Sequence, residues 1–208
     1  MYADLHLHTN FSDGTFTPEE LAEHGQRVGL SAMALTDHDT VDGCARMAIA
    51  CGEHGIEFVA GCEFTVEHDG NELHLLGYFL DLENDRLRGE LAKYQKVRRN
   101  RIHEMVGKLN EFGVAITSGD VMNIANCDSP GRPHIGRALV AFGHCGSLDE
   151  AFRKWLKKGK PAWVPKAKLT AAEAIGLIHA ACGLAVIAHP GLYHRDEVIA
   201  PLVEAGLD

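Results

Sequence analysis

Apolar and polar residues alternate along the first strand that the sequence predicts, over residues 2–8. Because successive side chains of a strand point to opposite faces, His6 and His8 share one face. Leu5 and Leu7 lie on the other face, and we expect them to point into a core. Two imidazoles at a strand end begin a metal site, although two solvent-facing histidines on an edge strand would show the same spacing.

Strands and helices alternate through residue 81. Thr17, Pro18 and Glu20 form the signature of a helix start, a capping box with proline at the first helical position. The predicted elements are strands over 2–8, 32–35 and 57–63, helices over 18–28 and 43–54, and a hairpin with arms over 65–68 and 72–78 joined by Asp69-Gly70. This order predicts an α/β fold, with a parallel sheet or barrel and crossover helices. Such barrels place their sites at the carboxyl ends of the strands.

The pattern becomes helical after residue 81. The elements predicted from there are helices over 85–112, 118–125, 134–142, 148–157 and 170–182, a strand over 184–188, and a helix over 196–205. We therefore divide the chain into a first barrel part, residues 1–81, an all-helical insertion, residues 82–168, and a continuation of the barrel, residues 169–208.

Charge follows the same division. Residues 82–168 hold 17 of the 20 Lys and Arg residues and 9 of the 29 Asp and Glu residues, a balance of +8, whereas the remainder of the chain has a balance of −17. An acidic part suits cations and a basic part suits phosphates, although two differently solvated surfaces would carry the same charges.

Composition excludes some classes of protein. No stretch approaches the ~20 apolar residues of a membrane span. The six cysteines lack the spacing of a zinc finger, which indicates free thiols in a reducing compartment. We expect a cytoplasmic protein with no membrane partner.

Polar residues gather at the ends of the predicted strands. The candidates for metal ligation are His6, His8, Asp13, His38, Glu63, His74 and His189. Imidazole and carboxylate ligands suit zinc, manganese or iron. A carboxylate among histidines can bridge two ions, Glu63 is placed for that role, and an ion pair supports hydrolysis at phosphorus or at a carbonyl.

Five sequence runs together resemble the PHP (polymerase and histidinol phosphatase) superfamily. They are DLHLHTNFSDG, LTDHDT, GCEFT, LHLLGY and AHPG. The resemblance implies a distorted (β/α)7 barrel with a site for two to three divalent ions (Mn, Zn or Fe). It is strongest to stand-alone phosphoesterases that remove the 3′-phosphate of nucleoside 3′,5′-bisphosphates, whose relatives trim short RNAs from the 5′ end. Members of that branch also carry a helical insertion after the LHLLGY strand.

The resemblance also implies roles for the seven candidates. The implied sites are a first with His6, His8 and Glu63, a second with Glu63, His74 and His189, and a third with Asp13 and His38. Glu63, His38 and Asp13 would be catalytic, with metal-bound hydroxide attacking phosphorus in line. Asp37 and Asp39 either orient these ligands or cap the following helix.

The family pattern ends with an Asp-x-His motif, which this chain lacks before residue 208. We therefore expect a C-terminally truncated barrel with an exposed sheet edge. Two of the three sites would be short of a ligand, which puts the activity of this chain in question, and only the second would keep its full set.

Four residues of the insertion are candidates for binding phosphate: Arg98, Arg101, Arg132 and His134. Arg98 and Arg101 are three apart on one helix and share a face, and guanidinium groups grip phosphate with paired donors. In the branch that the chain resembles, corresponding residues hold substrate phosphates. A solvated basic helix face remains the alternative.

We expect a metal-dependent phosphoesterase that acts on a small nucleotide or a short RNA end, and no binding of duplex DNA. Three alternatives stay open: a histidinol-phosphate-type phosphatase, an amidohydrolase that cleaves a C–N bond, and a non-catalytic metal-binding module. The sequence leaves the oligomeric state open.

Overall fold

The computed structural model describes residues 2–166 and 169–208. By their contacts the residues form two units, Met1–Lys93 with Lys168–Asp208, and Tyr94–Ala167. The division of the chain at residues 82 and 168 stays a prediction, and Lys168 itself lies outside the described residues.

The first unit contains a five-stranded sheet in which sequence order is also spatial order. The strands are β1 (Tyr2–Leu7), β2 (Leu30–Leu35), β3 (Glu57–His68), β4 (Asn71–Tyr78) and β5 (Leu184–Ile187). β1, β2 and β3 are parallel, and β4 is antiparallel to both β3 and β5. β5 therefore runs in the same direction as β1, β2 and β3, so the carboxyl ends of these four strands lie at one edge of the sheet.

The sheet curls so that its two outer strands approach each other. The Tyr78 hydroxyl on β4 donates a hydrogen bond to the carbonyl oxygen of Leu5 on β1, at 2.8 Å. The rings of His6, on β1, and His189, just after β5, are stacked with their centroids 5.7 Å apart. This curvature confirms the predicted α/β barrel type and brings the polar residues of the outer strands together.

Eight α-helices are found among the described residues. They are α1 (Pro18–Arg27), α2 (Cys44–Glu53), α3 (Asp85–Glu111), α4 (Ser118–Ala125), α5 (Arg132–Ala141), α6 (Leu148–Ala151), α7 (Ala171–Ala180) and α8 (Ile199–Glu204). The capping box predicted for α1 is present, with Glu20 N–H donating to the Thr17 hydroxyl and Thr17 N–H donating to Glu20. None of these helices is long and apolar enough to cross a membrane.

Each unit has a hydrophobic core of its own. In the first unit, Leu21 and Met47 from the two early helices pack with Met33 and Leu35 from β2. In the second unit the core is helical, with Ile102, Leu109, Ile135, Leu139 and Leu156 among its buried members. The helix predicted over 148–157 is found as α6 followed directly by a short π-helix, Phe152–Leu156.

One orientation predicted from the alternation in β1 is wrong. Leu7 packs against the core of the first unit, but Leu5 is 44% exposed. The register between β1 and β2 shifts between Asp4 and Leu7, so the regular alternation is interrupted around Leu5. A second difference concerns the predicted hairpin. Its first arm, over 65–68, and the strand predicted over 57–63 form one continuous strand of 12 residues, β3.

Buried thiols give the first prediction. Burial raises the pKa of Cys44 from 9.0 to about 12 and that of Cys62 well above 9.0. The folded state thus holds protons that the unfolded chain releases near pH 9, so the free energy of unfolding falls as the pH rises between about 9 and 12, with a limit of ~1.4 kcal/mol per pH unit per thiol. Chemical denaturation across this pH range measures the slope, and a free energy that rises with pH would contradict it.

Candidate metal centre

The carboxylate of Glu63, on β3, lies at the centre of the polar cluster and is 1% exposed. Its Oε2 atom is 3.0 Å from His8 Nε2, 3.1 Å from His6 Nε2 and 3.3 Å from His38 Nδ1. His6 and His8 lie at the carboxyl end of β1 on one face, as the alternation predicts, and His38 follows β2. Three imidazoles from two neighbouring strand ends therefore meet at one oxygen atom.

The second oxygen of Glu63 faces a different pair of imidazoles. Glu63 Oε1 is 2.8 Å from His74 Nδ1 and 3.2 Å from His189 Nε2. These two ring nitrogens are 3.2 Å from each other. His74 lies on β4 and His189 directly after β5, so the antiparallel half of the sheet supplies this side of the cluster.

Backbone hydrogen bonds fix the segment after β2 against β3. Asp39 N–H donates to Glu63 O at 3.0 Å, and Glu63 N–H donates to Asp37 O at 3.1 Å. His38 and Glu63 form an isolated parallel bridge through these contacts. The Thr36–Asp39 segment thereby extends β2 far enough to bring the His38 ring to the Glu63 carboxylate.

Asp37 holds the loop that follows β1. It is 1% exposed and accepts hydrogen bonds from the Thr9 hydroxyl (2.5 Å), Thr9 N–H (2.8 Å) and the Ser12 hydroxyl (2.5 Å). The Ser12 oxygen in turn lies 3.3 Å from His8 Nδ1. Burial raises the pKa of Asp37, and the Ser12 and Thr9 hydrogen bonds partly offset that rise.

Neither aspartate beside His38 is the N-cap residue of the helix that follows. The N-cap of α2 is Gly43, which has no side-chain cap. Asp37 binds the loop after β1, and Asp39 accepts a hydrogen bond from Thr65 N–H on β3 at 3.3 Å. Of the two roles expected from the sequence, support of neighbouring ligand residues is the one that these contacts favour.

Asp13 lies beside His8 and His38. Its carboxylate is 3.6 Å from His8 Nδ1 and 3.7 Å from His38 Nε2. The tight turn that returns it to β1 requires glycine, because a Cβ atom at Gly14 would overlap the carbonyl group of His8. His8 and His38 therefore each face Glu63 with one ring nitrogen and Asp13 with the other.

The electrostatics of the cluster favour an ionised carboxylate. Burial raises the pKa of Glu63, but hydrogen bonds from His6, His74 and His8 outweigh it and hold the pKa far below its usual range. Burial and the neighbouring His74 lower the pKa of His189. Burial lowers the pKa of His8, but a hydrogen bond to Glu63 and the negative charges of the nearby carboxylates outweigh burial and raise that pKa. A cation would bind the rings through the lone pairs of their unprotonated nitrogen atoms.

The donor set fits divalent cations. Three groups have ligand atoms within 4.8 Å of one another: His6, His8 and Glu63; His8, Asp13 and His38; and His38, Glu63 and His74. Imidazole nitrogen and carboxylate oxygen are ligands that zinc, manganese and iron accept. Both oxygens of Glu63 face imidazoles, so each oxygen and its neighbouring rings together offer ligands to a cation.

All seven residues singled out in the sequence meet in this cluster. The assignment of each one to a particular ion stays a prediction, as does the catalytic role of Glu63, His38 and Asp13. What sequence reasoning missed is the support that Thr9 and Ser12 give to the loop after β1 through Asp37. Thr9 and Ser12 lie within the DLHLHTNFSDG run, between His8 and Asp13. This position in the sequence is the signal that could have indicated their supporting role.

The four candidate phosphate ligands lie in the second unit. Arg98, on α3, is 7% exposed and donates to the carbonyl oxygen of Pro130 at 3.4 Å. Arg101, one turn later, donates through Nε to the carbonyl oxygen of Val164 at 2.8 Å. These carbonyl groups fix the directions of the two guanidinium groups.

The other two candidates begin α5. Arg132 is its first residue, and the buried His134 accepts a hydrogen bond through Nδ1 from Gly131 N–H at 3.0 Å. In a neutral ring the proton therefore lies on Nε2. Gly131 also lies close to Arg98, since a Cβ atom there would be 3.4 Å from Arg98 Nη1. The structure thus brings Arg98 to the start of α5, within one unit.

Fold and site together define a metal-dependent hydrolase with an α/β sheet. The family model of the PHP domain matches residues 4–140, and the chain belongs to the PHP domain family. Proteins of this family that resemble the chain are described as phosphatases, exoribonucleases and metal-dependent phosphoesterases. The chain is accordingly a metal-dependent phosphoester hydrolase by family, and the resemblance that the sequence runs showed is confirmed.

Two curated relatives match most of the chain. A 3′,5′-nucleoside bisphosphate phosphatase from Chromobacterium violaceum is 35% identical over 193 residues, covering 91% of this chain and 67% of the relative. A 5′-3′ exoribonuclease from Haemophilus influenzae is 34% identical over 191 residues, covering 92% of this chain and 69% of the relative. The chain spans about two thirds of the length of these relatives.

Two solved structures share the fold. A protein from Bifidobacterium adolescentis, described as a metal-dependent phosphoesterase, superposes with a TM-score of 0.92 at 31% identity, covering 99% of this chain and 75% of that one. A protein from Chromobacterium violaceum, described as an amidohydrolase with bound sulfate and no metal, gives a TM-score of 0.91 at 33% identity with the same coverage.

Substituting the central carboxylate gives the second prediction. Glu63→Gln keeps the shape of the side chain but removes the charge that both groups of imidazoles face. We expect the affinity for Mn²⁺ or Zn²⁺ to fall by more than the ~10–100-fold that the loss of an outer hydrogen-bond partner costs. Metal analysis after equilibrium dialysis measures the change.

The matched control is Glu57→Gln, the same substitution on an exposed residue at the opposite end of β3. It should bind metal as the unsubstituted protein does. Equal metal content in the Glu63 and Glu57 variants would show that Glu63 is no ligand.

Proposed function

We propose that this protein hydrolyses a phosphate monoester of a small nucleotide, a nucleoside 3′,5′-bisphosphate or the 5′ end of a short RNA. The observation that carries the proposal is the buried Glu63 carboxylate, whose two oxygens face two separate groups of imidazoles at 2.8–3.3 Å. Such a carboxylate suits a bridge between two ions, and phosphoester hydrolysis is the chemistry that ion pairs of this kind support.

The proposed division of labour follows the geometry. His6 and His8 would hold one ion together with Glu63, and His74 and His189 would hold another together with Glu63. Asp13 and His38 are the proposed ligands of a third ion, which gives two to three ions in all. When bound, such ions supply an activated water and neutralise the oxygens of the phosphoryl group.

The chain's own groups do the remaining work in this proposal. Glu63 stays ionised at neutral pH and so retains its charge for binding cations. Asp37, through Ser12 and Thr9, holds the loop that orients His8 and returns Asp13 to the cluster. Asp13 and His38 lie close to each other, with Asp13 Oδ2 3.7 Å from His38 Nε2, and both side chains are partly exposed.

The preference for an anionic substrate is supported by the second unit. Its Arg98 and Arg101 guanidinium groups are held by the backbone, and a guanidinium held in a fixed direction loses less entropy when it grips a phosphate. Arg132 and His134 begin α5, where backbone N–H groups and the helix dipole favour an anion. We propose all four as ligands of a substrate phosphate.

The proposed substrates are those that the names of the relatives suggest. One relative is called a 3′,5′-nucleoside bisphosphate phosphatase and another a 5′-3′ exoribonuclease. Sulfate, a tetrahedral dianion like phosphate, is bound in a solved structure with the same fold. A compact substrate with two phosphates would also match the charge of +8 in residues 82–168.

A second candidate function is hydrolysis of a C–N bond, because one solved neighbour is described as an amidohydrolase. The ligand set suits either reaction. The arginines discriminate between them, since a neutral amide offers them no charge to bind. Comparing turnover of a nucleoside bisphosphate with that of cyclic and linear amides separates the two functions.

Substituting the arginines gives the third prediction. We expect Arg98→Ala and Arg101→Ala each to raise KM for a nucleoside 3′,5′-bisphosphate at least ~10-fold, since a charged hydrogen bond contributes about 1.5–3 kcal/mol. Turnover of a neutral-tailed monoester, p-nitrophenyl phosphate, should change less, because it offers only one phosphate. Steady-state kinetics with both substrates in Mn²⁺ measure the difference.

Arg99→Ala is the matched control. Arg99 is adjacent on α3, and its guanidinium binds the Asp128 side chain at 3.2 Å. Its kinetics should stay within about twofold of the unsubstituted protein. If the Arg98 and Arg101 variants behave like the Arg99 variant, the two arginines do not bind the substrate.

A further inference from the structure

The hydrogen-bonding ladder between β4 and β5 ends in an unusual way beside the metal centre. Ile187, the last residue of β5, pairs with Leu75. One residue further, Ala188 N–H still donates to the carbonyl oxygen of His74 at 2.9 Å. The chain then leaves the sheet at His189, which has a left-handed backbone with φ 33° and ψ 54°. That turn directs the His189 ring toward Glu63.

The turn leaves the N–H group of His74 to be paired by a side chain. In a regular antiparallel ladder, a hydrogen-bonded pair of residues exchanges two backbone bonds. Here the second bond goes from His74 N–H to the hydroxyl oxygen of Tyr193, at 2.9 Å. The Tyr193 hydroxyl thus takes the place of a β5 carbonyl group at the point where β5 departs.

The same tyrosine contacts the other histidine of this pair. The rings of Tyr193 and His189 have their centroids 5.4 Å apart with an interplanar angle of 54°. Tyr193 therefore touches His74 through its hydroxyl and His189 through its ring. These are the two histidines that face Glu63 Oε1, with His74 Nδ1 and His189 Nε2 3.2 Å apart.

We infer that Tyr193 is a positioning residue that sets the separation of His74 and His189 for an ion bound between them and Glu63. The inference rests on the proposed role of these three residues as ligands. Without the hydroxyl, the His74 N–H group loses its hydrogen-bond partner, and the Tyr193 ring that packs on His189 is no longer tied to β4. Groups that orient ligands from outside typically contribute 10–100-fold to metal affinity.

The test is Tyr193→Phe, which removes the hydroxyl and keeps the ring. Co²⁺ is the probe, because its visible absorption reports coordination as well as occupancy. We expect one step of a Co²⁺ titration to weaken at least ~10-fold with an altered visible band, while the other steps stay within about twofold. In the metal-free protein, hydrogen exchange of the His74 amide should become at least ~10-fold faster.

Tyr78→Phe is the matched control, since it removes another hydroxyl that bonds a backbone group in the same sheet. It should leave the exchange of the His74 amide unchanged. Unchanged Co²⁺ binding in the Tyr193 variant, or a weakening of every step alike, would overturn the inference. Rapid exchange of the His74 amide in the unsubstituted, metal-free protein would overturn it even if the variant did not fold.

Failure of the proposed function looks different. If the unsubstituted protein bound no Co²⁺ at all, the metal centre itself would be refuted and the inference with it. If the unsubstituted protein binds Co²⁺ and the Tyr193 variant binds it equally well, the inference alone fails and the metal centre stands.

Discussion

The burial of one carboxylate is the constraint on which the rest of this structure depends. Glu63 is 1% exposed and keeps its charge, since the hydrogen bonds of surrounding imidazoles overcome the effect of burial on its pKa. A charge in this position is costly unless it is compensated. Hydrogen bonds from the imidazoles compensate it in part, and divalent cations would compensate it further, which is why five histidines around one glutamate are better explained by metal binding than by packing.

The direction of the strands brings the surrounding side chains to this carboxylate. The β3–β4 hairpin reverses the chain, and β5 reverses it again, so four carboxyl strand ends lie at one edge. The curl of the sheet then brings the first strand toward the last, as the stacked rings of His6 and His189 show. Ligands 183 positions apart in the chain thereby face one carboxylate, and the hairpin adds His74 from the strand that runs the other way.

Local features of this fold could be predicted from the sequence because their causes are local. The capping box of Thr17 and Glu20, the Asp69-Gly70 turn and the shared face of His6 and His8 each depend on a few neighbouring residues. The seven clustered side chains could also be predicted, since polar residues at the ends of apolar runs converge when the strands are aligned.

Features that depend on tertiary contacts could not be predicted in the same way. The exposure of Leu5 accompanies a shift in the register between β1 and β2, which the alternation in the strand does not reveal. The bond of Tyr193 to His74 joins residues 119 positions apart. From the sequence, Asp37 could equally cap the following helix or orient ligands. The structure shows that Thr9 and Ser12 donate hydrogen bonds to it. The pairing partners of such side chains are set by the curl of the sheet.

The most direct test of this description is to locate the ions themselves. Crystals of the protein equilibrated with Mn²⁺ should give anomalous scattering peaks on both sides of the Glu63 carboxylate, one near His6 and His8 and one near His74 and His189. Ligand distances near 2.0–2.2 Å are expected for imidazole and carboxylate donors. Saturating Mn²⁺ with no anomalous peak in contact with either oxygen of Glu63 would contradict the central claim.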